Sequence, residues 1–266
     1  MSEIRRSLIT GEPVLFAPER AKRFPDTGCP FCPGHEHETP PELARIGEPW
    51  RVRVFGNKYP FAPQHEVIVE SRVHDATYGT IGTEGTYEVT RMYVERYRAM
   101  RAGHVTVFKN HGVMAGASIE HMHSQVVGTS FVPPRVRREL AGFALGCPLC
   151  EVEGHVIDES EHFVRIAPHG SGFAYEQWIV PRRHAANFSR MTDDETNDLA
   201  LRLRDAAISM ERIAASYNWL FMNFSEAGHW YVQAMPRLTT IAGFELASGT
   251  FIDIIDPAEA ARKLRV

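Results

Sequence analysis

Two short cysteine pairs, Cys29-Pro-Phe-Cys32 and Cys147-Pro-Leu-Cys150, contain every cysteine of the chain and constrain most strongly what it can fold into. A Cys-x-x-Cys turn is a good chelating corner for a soft divalent metal. The pairs lie too far apart along the chain to close one four-cysteine ribbon, so each needs two further ligands of its own. Histidines supply them in register. Cys32 is followed by His74 and His121, and Cys150 by His184 and His229, at similar intervals. Each set offers two thiols and two imidazoles, the donors of a closed, structural zinc site. Taken singly, a histidine beside a strand is more often a packed core residue, and His155, His162 and His169 compete with His184 for the second set. The repetition of the whole pattern argues for metal in both.

The segments between these residues repeat as well. After the first pair, Val52–Phe55 and His65–Glu70 read as strands, and Val89, Tyr93, Tyr97 and Met100 mark one face of a helix. Strands over His104–Phe108 and His121–Val127 follow. After the second pair, His162–Ile166 and Glu176–Val180 read as strands. Thr192-x-x-Glu195 is a capping-box signature opening a helix with the stripe Leu199, Leu203, Ala206, Met210 and Ile213. Strands over Trp219–Phe224 and His229–Gln233 close the unit. The expected fold is α+β, with two related halves, each an antiparallel sheet carrying helices. The Pro-marked connector from Val132 to Phe143 sets the boundary, giving residues 1–142 and 143–266.

A net charge of −4 gives no global electrostatic reason to expect nucleic acid or an anionic membrane as partner. No apolar run approaches the roughly 20 residues that span a bilayer. No apolar stretch of the kind a secretory signal needs follows Met1-Ser2-Glu3-Ile4-Arg5-Arg6. A cytoplasmic protein is expected, and there four cysteines are better read as metal ligands than as two disulfides.

The chemistry concentrates in Gly116-Ala-Ser-Ile-Glu-His-Met-His-Ser-Gln-Val-Val-Gly128. Alternate side chains of a strand share a face, which puts His121, His123 and Gln125 together. With His121 anchored to a metal, His123 is displayed on a rigid strand beside a neutral hydrogen-bond donor. A neutral imidazole is a competent nucleophile near pH 7, and Gln125 can donate to a phosphoryl oxygen as charge builds there. The equivalent strand of the second half has Tyr231 where the first has His123, so both halves look built for metal and only the first for catalysis. The Gly/Ser-rich approach Gly112–Ser118 would let backbone N–H groups come close to an anion.

At these residues the chain resembles the galactose-1-phosphate uridylyltransferase family, a branch of the histidine triad superfamily that includes ADP-glucose phosphorylase and dinucleoside polyphosphate phosphorylases. The resemblance runs from Leu8-Ile-Thr-Gly11 to Gly243-Phe-Glu-Leu246. It implies two tandem histidine-triad-like halves, with His123 as the nucleotidylated nucleophile and Gln125 as the phosphoryl-contacting glutamine. It implies one zinc on Cys29, Cys32, His74 and His121, and a second on Cys147, Cys150, His184 and His229. Arg20 and Arg23, otherwise an ordinary solvated basic face, become candidates to reach substrate phosphates. Phe55, Asn57 and Asn110 match nucleotide-contacting positions, Ser118 a phosphate-contacting serine, and Phe244 and Glu245 the part that meets the sugar. The resemblance further implies a homodimer with the active site near the subunit interface. The implied reaction exchanges a nucleotidyl group between a nucleotide sugar and a sugar 1-phosphate. Asn57-Lys58-Tyr59-Pro60 and Cys147-Pro-Leu-Cys150 look closer to the phosphorylase-like members, for which inorganic phosphate is the acceptor. A catalytically silent nucleotide-binding protein held together by zinc is the remaining alternative.

Overall fold

The computed structural model describes residues 3–22, 28–152 and 154–266. Strands β1 (Glu3–Arg6) and β2 (Pro13–Phe16) form a hairpin of their own. The first half supplies β3 (Glu42–Ile46), β4 (Val52–Gly56), β5 (Gln64–Val69), α1 (Gly82–Ala99), β6 (His104–His111) and β7 (His123–Thr129). Helix α2 (Pro134–Phe143) leads to β8 (Gly154–Glu159), β9 (Phe163–Pro168), β10 (Gln177–Pro181), α3 (Asp193–Glu211), β11 (Tyr217–Met222) and β12 (Tyr231–Pro236). Two short helices, α4 (Gly243–Ser248) and α5 (Pro257–Leu264), end the chain.

The two halves share one antiparallel sheet of ten strands, in the order β3-β4-β5-β7-β6-β11-β12-β10-β9-β8. The order within one half is the reverse of the other, as a two-fold axis between β6 and β11 would produce. Those two strands pair from Tyr217↔His111 to Phe221↔Val107. Left apart, each would be a sheet edge with a row of unpaired backbone groups, and joining the halves removes both edges.

Strand alternation divides the first half into two faces. Val54, Ile68, Val107 and Val126 point to the helices and, with Tyr93 of α1, Leu203 of α3 and Trp219 of β11, form the main core. Phe55, Val67 and Val69 point the other way and pack with Phe31 from the first cysteine turn. His123 and Gln125 belong to this second face, away from the helices. His121, read as the first residue of β7, lies just before that strand. The 142/143 boundary falls at the end of α2, whose Val136, Leu140 and Phe143 pack on the second half.

The strand pairs and both long helices follow the sequence pattern. The edge strands β3 and β8 carry no clean apolar alternation, and the pattern does not mark them. In α3, the Thr192 side chain accepts the Glu195 N–H at 3.1 Å and Glu195 accepts the Thr192 N–H at 2.8 Å. This capping box satisfies two N–H groups that a helix start leaves without partners. Replacing Thr192 by Ala should cost about 1 kcal/mol of stability in denaturant unfolding and leave catalysis unchanged.

Candidate active site and metal groups

Cys29, Cys32, His74 and His121 converge, with one ligand atom from each within 4.8 Å of the others. Cys147, Cys150, His184 and His229 converge likewise, and His155, His162 and His169 take no part. Bond lengths of roughly 2.3 Å to sulfur and 2.0 Å to nitrogen put tetrahedral S···N edges near 3.5 Å. The first group shows 3.6 Å for Cys29–His121, 3.4 Å for Cys32–His74 and 3.6 Å for Cys32–His121. The second spreads from 3.1 to 3.8 Å. Both fit a zinc-sized ion, the first more evenly. His121 donates its Nε2–H to the Ser71 carbonyl at 2.8 Å, and His229 does the same to the Pro181 carbonyl at 2.8 Å. These bonds fix the tautomer that leaves Nδ1 facing the thiols, the outer-shell arrangement typical of metal-binding histidines. Four protein ligands leave no open position, so such an ion would be structural.

His123 sits two residues beyond His121, buried at the floor of a cleft. Its Nδ1 donates to the His121 carbonyl at 2.8 Å, so Nε2 keeps the lone pair. Burial, the largest influence, pushes its pKa down to about 4 and holds the imidazole neutral near pH 7. Phe31 meets the ring edge-on at 5.2 Å.

The cleft has two lobes that share Ser118, His123 and Gln125. The larger, about 510 Å³, is mostly apolar, with Phe31, Phe55, Val67 and Ile119 in its walls and Asn57 beside them. The smaller, about 290 Å³, is polar, with Arg20, Asn110, Gly116 and Ala117 in its lining. Arg20 donates to the Tyr59 carbonyl at 3.0 Å. Asn110 accepts from Asn218 of the second half at 2.9 Å, and Asn218 also donates to the Ala115 carbonyl at 3.0 Å, bracing the Gly112–Ser118 loop. Gly112 has φ +78, and a Cβ there would lie 2.2 Å from Ser216 Oγ, so only glycine fits.

Seven residues anticipated from sequence therefore meet in this cleft: Arg20, Phe55, Asn57, Asn110, Ser118, His123 and Gln125. Arg23 lies outside the described residues. Phe244 and Glu245 lie on exposed α4 and line neither lobe, and the Glu245 carboxylate accepts the Ala242 N–H at 3.2 Å within its own helix. One contact of Gln125, His65, was not anticipated from sequence. Its Nδ1 faces the Phe61 N–H at 3.4 Å, and its Nε2 lies 2.8 Å from Gln125 Oε1 and 3.1 Å from the Asn57 amide nitrogen. The amide N–H₂ of Gln125 is thereby turned away from His65. Strand parity was the available signal, because His65, Val67 and Val69 share the face of Gln125.

The second half holds the same frame in another state. Gln233, the counterpart of Gln125, accepts from Arg135 at 2.7 Å and donates to Glu176 at 2.6 Å. Tyr231, the counterpart of His123, donates to Glu139 at 3.2 Å. Arg135 and Glu139 belong to α2, so that helix covers the position a substrate would need.

Comparison with known proteins fits this geometry. Residues 18–132 match the N-terminal domain of DUF4931, a domain of unknown function. ADP-glucose phosphorylase of Arabidopsis thaliana is 31% identical, over 99% of this chain and 92% of that protein. The chain belongs to the galactose-1-phosphate uridylyltransferase family, the branch of the histidine triad superfamily that contains this phosphorylase. It is a nucleotidyltransferase in the broad sense that includes the phosphorylases. The crystal structure of the Arabidopsis enzyme with bound ADP-glucose superposes with a TM-score of 0.84, covering 100% of this chain and 99% of that one. Galactose-1-phosphate uridylyltransferase of Thermotoga maritima is 24% identical over 100% of this chain and 98% of its own length. A uridylyltransferase structure, also 24% identical, has a TM-score of 0.85 and shares the fold. No helix among the described residues is long and apolar enough to cross a membrane.

Elemental analysis of protein purified without added metal should find two metal ions per chain. One ion would remove the second group. Stripping the metal with a chelator should lower the unfolding temperature, because a closed site contributes its binding energy to folding.

Proposed function

We propose that the chain transfers a nucleotidyl group from a nucleoside diphosphate sugar through a covalent intermediate on His123, with zinc in both Cys/His groups. The observation that carries this reading is the disposition of His123: buried and neutral, its Nδ1 tied to the His121 carbonyl and its remaining nitrogen at the junction of two lobes. The larger lobe suits a nucleoside, with Phe31 and Phe55 against the base and Asn57 toward the sugar. The polar lobe suits the departing phosphate, with Arg20, Asn110 and Ser118 around it. Arg23 is proposed to join them.

In the first step His123 Nε2 attacks the α-phosphorus and the bond to the sugar phosphate oxygen breaks, releasing sugar 1-phosphate. The imidazole becomes positively charged, and its Nδ1–H bond to the His121 carbonyl stabilises that charge. The Gln125 amide, oriented by His65, donates to a non-bridging oxygen as charge develops there. In the second step an acceptor oxygen attacks phosphorus on the opposite side of the transfer, the P–N bond breaks, and His123 returns neutral. Zinc supplies rigidity to the strand and takes no part in either step.

The relatives support both acceptors, and inorganic phosphate is the first reading because the phosphorylase of Arabidopsis is 31% identical and the Thermotoga uridylyltransferase 24%. A hexose 1-phosphate acceptor is the second reading. It gains from a homodimer in which a second copy brings Phe244 and Glu245 to the polar lobe, and the exposed Phe244, Leu246, Phe251 and Ile252 give such a contact an apolar surface. A cytoplasmic location accords with four cysteines held as thiol ligands.

His123→Ala should lower turnover of ADP-glucose or UDP-glucose by at least about a thousandfold while leaving metal content and unfolding temperature intact. Wild-type turnover in that variant would refute the nucleophile. Presenting nucleotidylated enzyme with phosphate or galactose 1-phosphate at equal concentration separates the two acceptors. Faster discharge by phosphate is expected, and faster discharge by the hexose phosphate would make the chain a hexose-1-phosphate nucleotidyltransferase.

A further inference from the structure

Behind His123, on the helix face of the sheet, lies an ion pair the mechanism above does not use. Lys109 of β6 and Glu70 at the end of β5 are 1% and 0% exposed, with Nζ 2.5 Å from Oε2. Lys109 Nζ also donates to the carbonyl of His123 at 3.1 Å. Ser124 Oγ donates to Glu70 Oε1 at 2.5 Å, and the Tyr93 hydroxyl of α1 donates to the same oxygen. Tyr78 and Trp219 stand around the ammonium at 5.5 and 5.7 Å. The peptide between His123 and Ser124 is thus gripped twice, at its carbonyl by Lys109 and through the Ser124 side chain by Glu70.

Nothing in the fold alone calls for these charges. Removing two charges from water is expensive, and a well-packed apolar pair of similar volume is often as stable or more so. The duplicated half is the internal control. Phe108 pairs with Gln125, and Leu220 with Gln233, so the position of Lys109 is held there by Phe221. By the same strand registers Ser124 corresponds to Val232, and Glu70 to Pro181. The half that lacks the histidine builds the same sheet with apolar residues at all three positions.

We propose that Lys109 and Glu70 are positioning residues for His123, retained to lock the peptide that carries the nucleophile. The pair fixes the backbone torsions on the C-terminal side of His123, while the Nδ1 bond to the His121 carbonyl fixes its ring. Together they hold Nε2 on the line of attack, where a misplacement of about 1 Å can lower a rate on the order of a hundredfold. This inference rests on His123 being the nucleophile.

The test uses E70Q/K109M, which removes both charges and leaves no unpaired one, and K109F/E70Q/S124V, which copies Phe221 and Val232 of the second half. Rapid-quench labelling from α-labelled ADP-glucose and UDP-glucose gives the rate constant for nucleotidylation and its half-saturating concentration. In both variants the rate constant should fall by about 10- to 100-fold. The half-saturating concentration should move less than about threefold, with metal content and unfolding temperature as in the wild type. Folded variants that label at the wild-type rate would overturn the proposal. So would failure of both to fold, which would make the charges a requirement of the sheet. A wild type that takes no label from either sugar nucleotide would instead sink the histidine mechanism and this inference with it.

Discussion

The hydrogen bond from His123 Nδ1 to the His121 carbonyl joins the chemistry of the chain to its scaffold. On one side of it, the His121 ring is fixed at both nitrogens, by Cys29 and Cys32 at Nδ1 and by the Ser71 carbonyl at Nε2. On the other, a buried imidazole receives a defined tautomer, so that one nitrogen holds the proton and the other the lone pair. A metal held by the cysteine turn would act on His123 by orienting the strand that carries it. Gln125 is met by His65, whose Nε2 lies 2.8 Å from its Oε1. Neither catalytic candidate is left to choose its own direction.

Duplication explains why the described residues form two Cys/His groups that could each hold a metal, while the His123 position has only a tyrosine counterpart. The same frame of five strands, one long helix and four ligands serves both halves, and their central strands close the sheet between them. Divergence then runs in opposite directions. In the first half the site face is open, the loop Gly112–Ser118 is small-residued, and charged groups stand behind the strand. In the second, α2 lies over the site face, Tyr231 replaces the histidine, and the residues behind the strand are apolar. The second half still serves the first, because Asn218 braces both Asn110 and the loop.

Much of this was readable in the chain. The two Cys, Cys, His, His sets were legible because ligand identity and register are properties of sequence, and so was the shared face of His123 and Gln125. The merging of two sheets into one was not, since nothing in His104–His111 or Tyr217–Met222 distinguishes an edge strand from a paired one. His65 was missed as one of three polar residues that open β5, Gln64-His65-Glu66, where parity alone revealed its side. Lys109 and Glu70 were hidden for a different reason: a buried ion pair reads in sequence as two surface charges until the strands that carry them are set side by side. Phe244 and Glu245 were expected near the sugar from resemblance alone, and within a single chain they stand apart from the cleft.

The central claim is that His123 carries the nucleotidyl group as a covalent adduct. Intact-protein mass spectrometry after brief incubation with ADP-glucose or UDP-glucose, without phosphate or any other acceptor, tests it directly. The account predicts a mass gain of one nucleoside monophosphate residue per chain, stable in base, lost in acid, and mapped by fragmentation to the peptide bearing His123. Sugar nucleotide consumed with no adduct on the chain, or an adduct on any other residue, would contradict it.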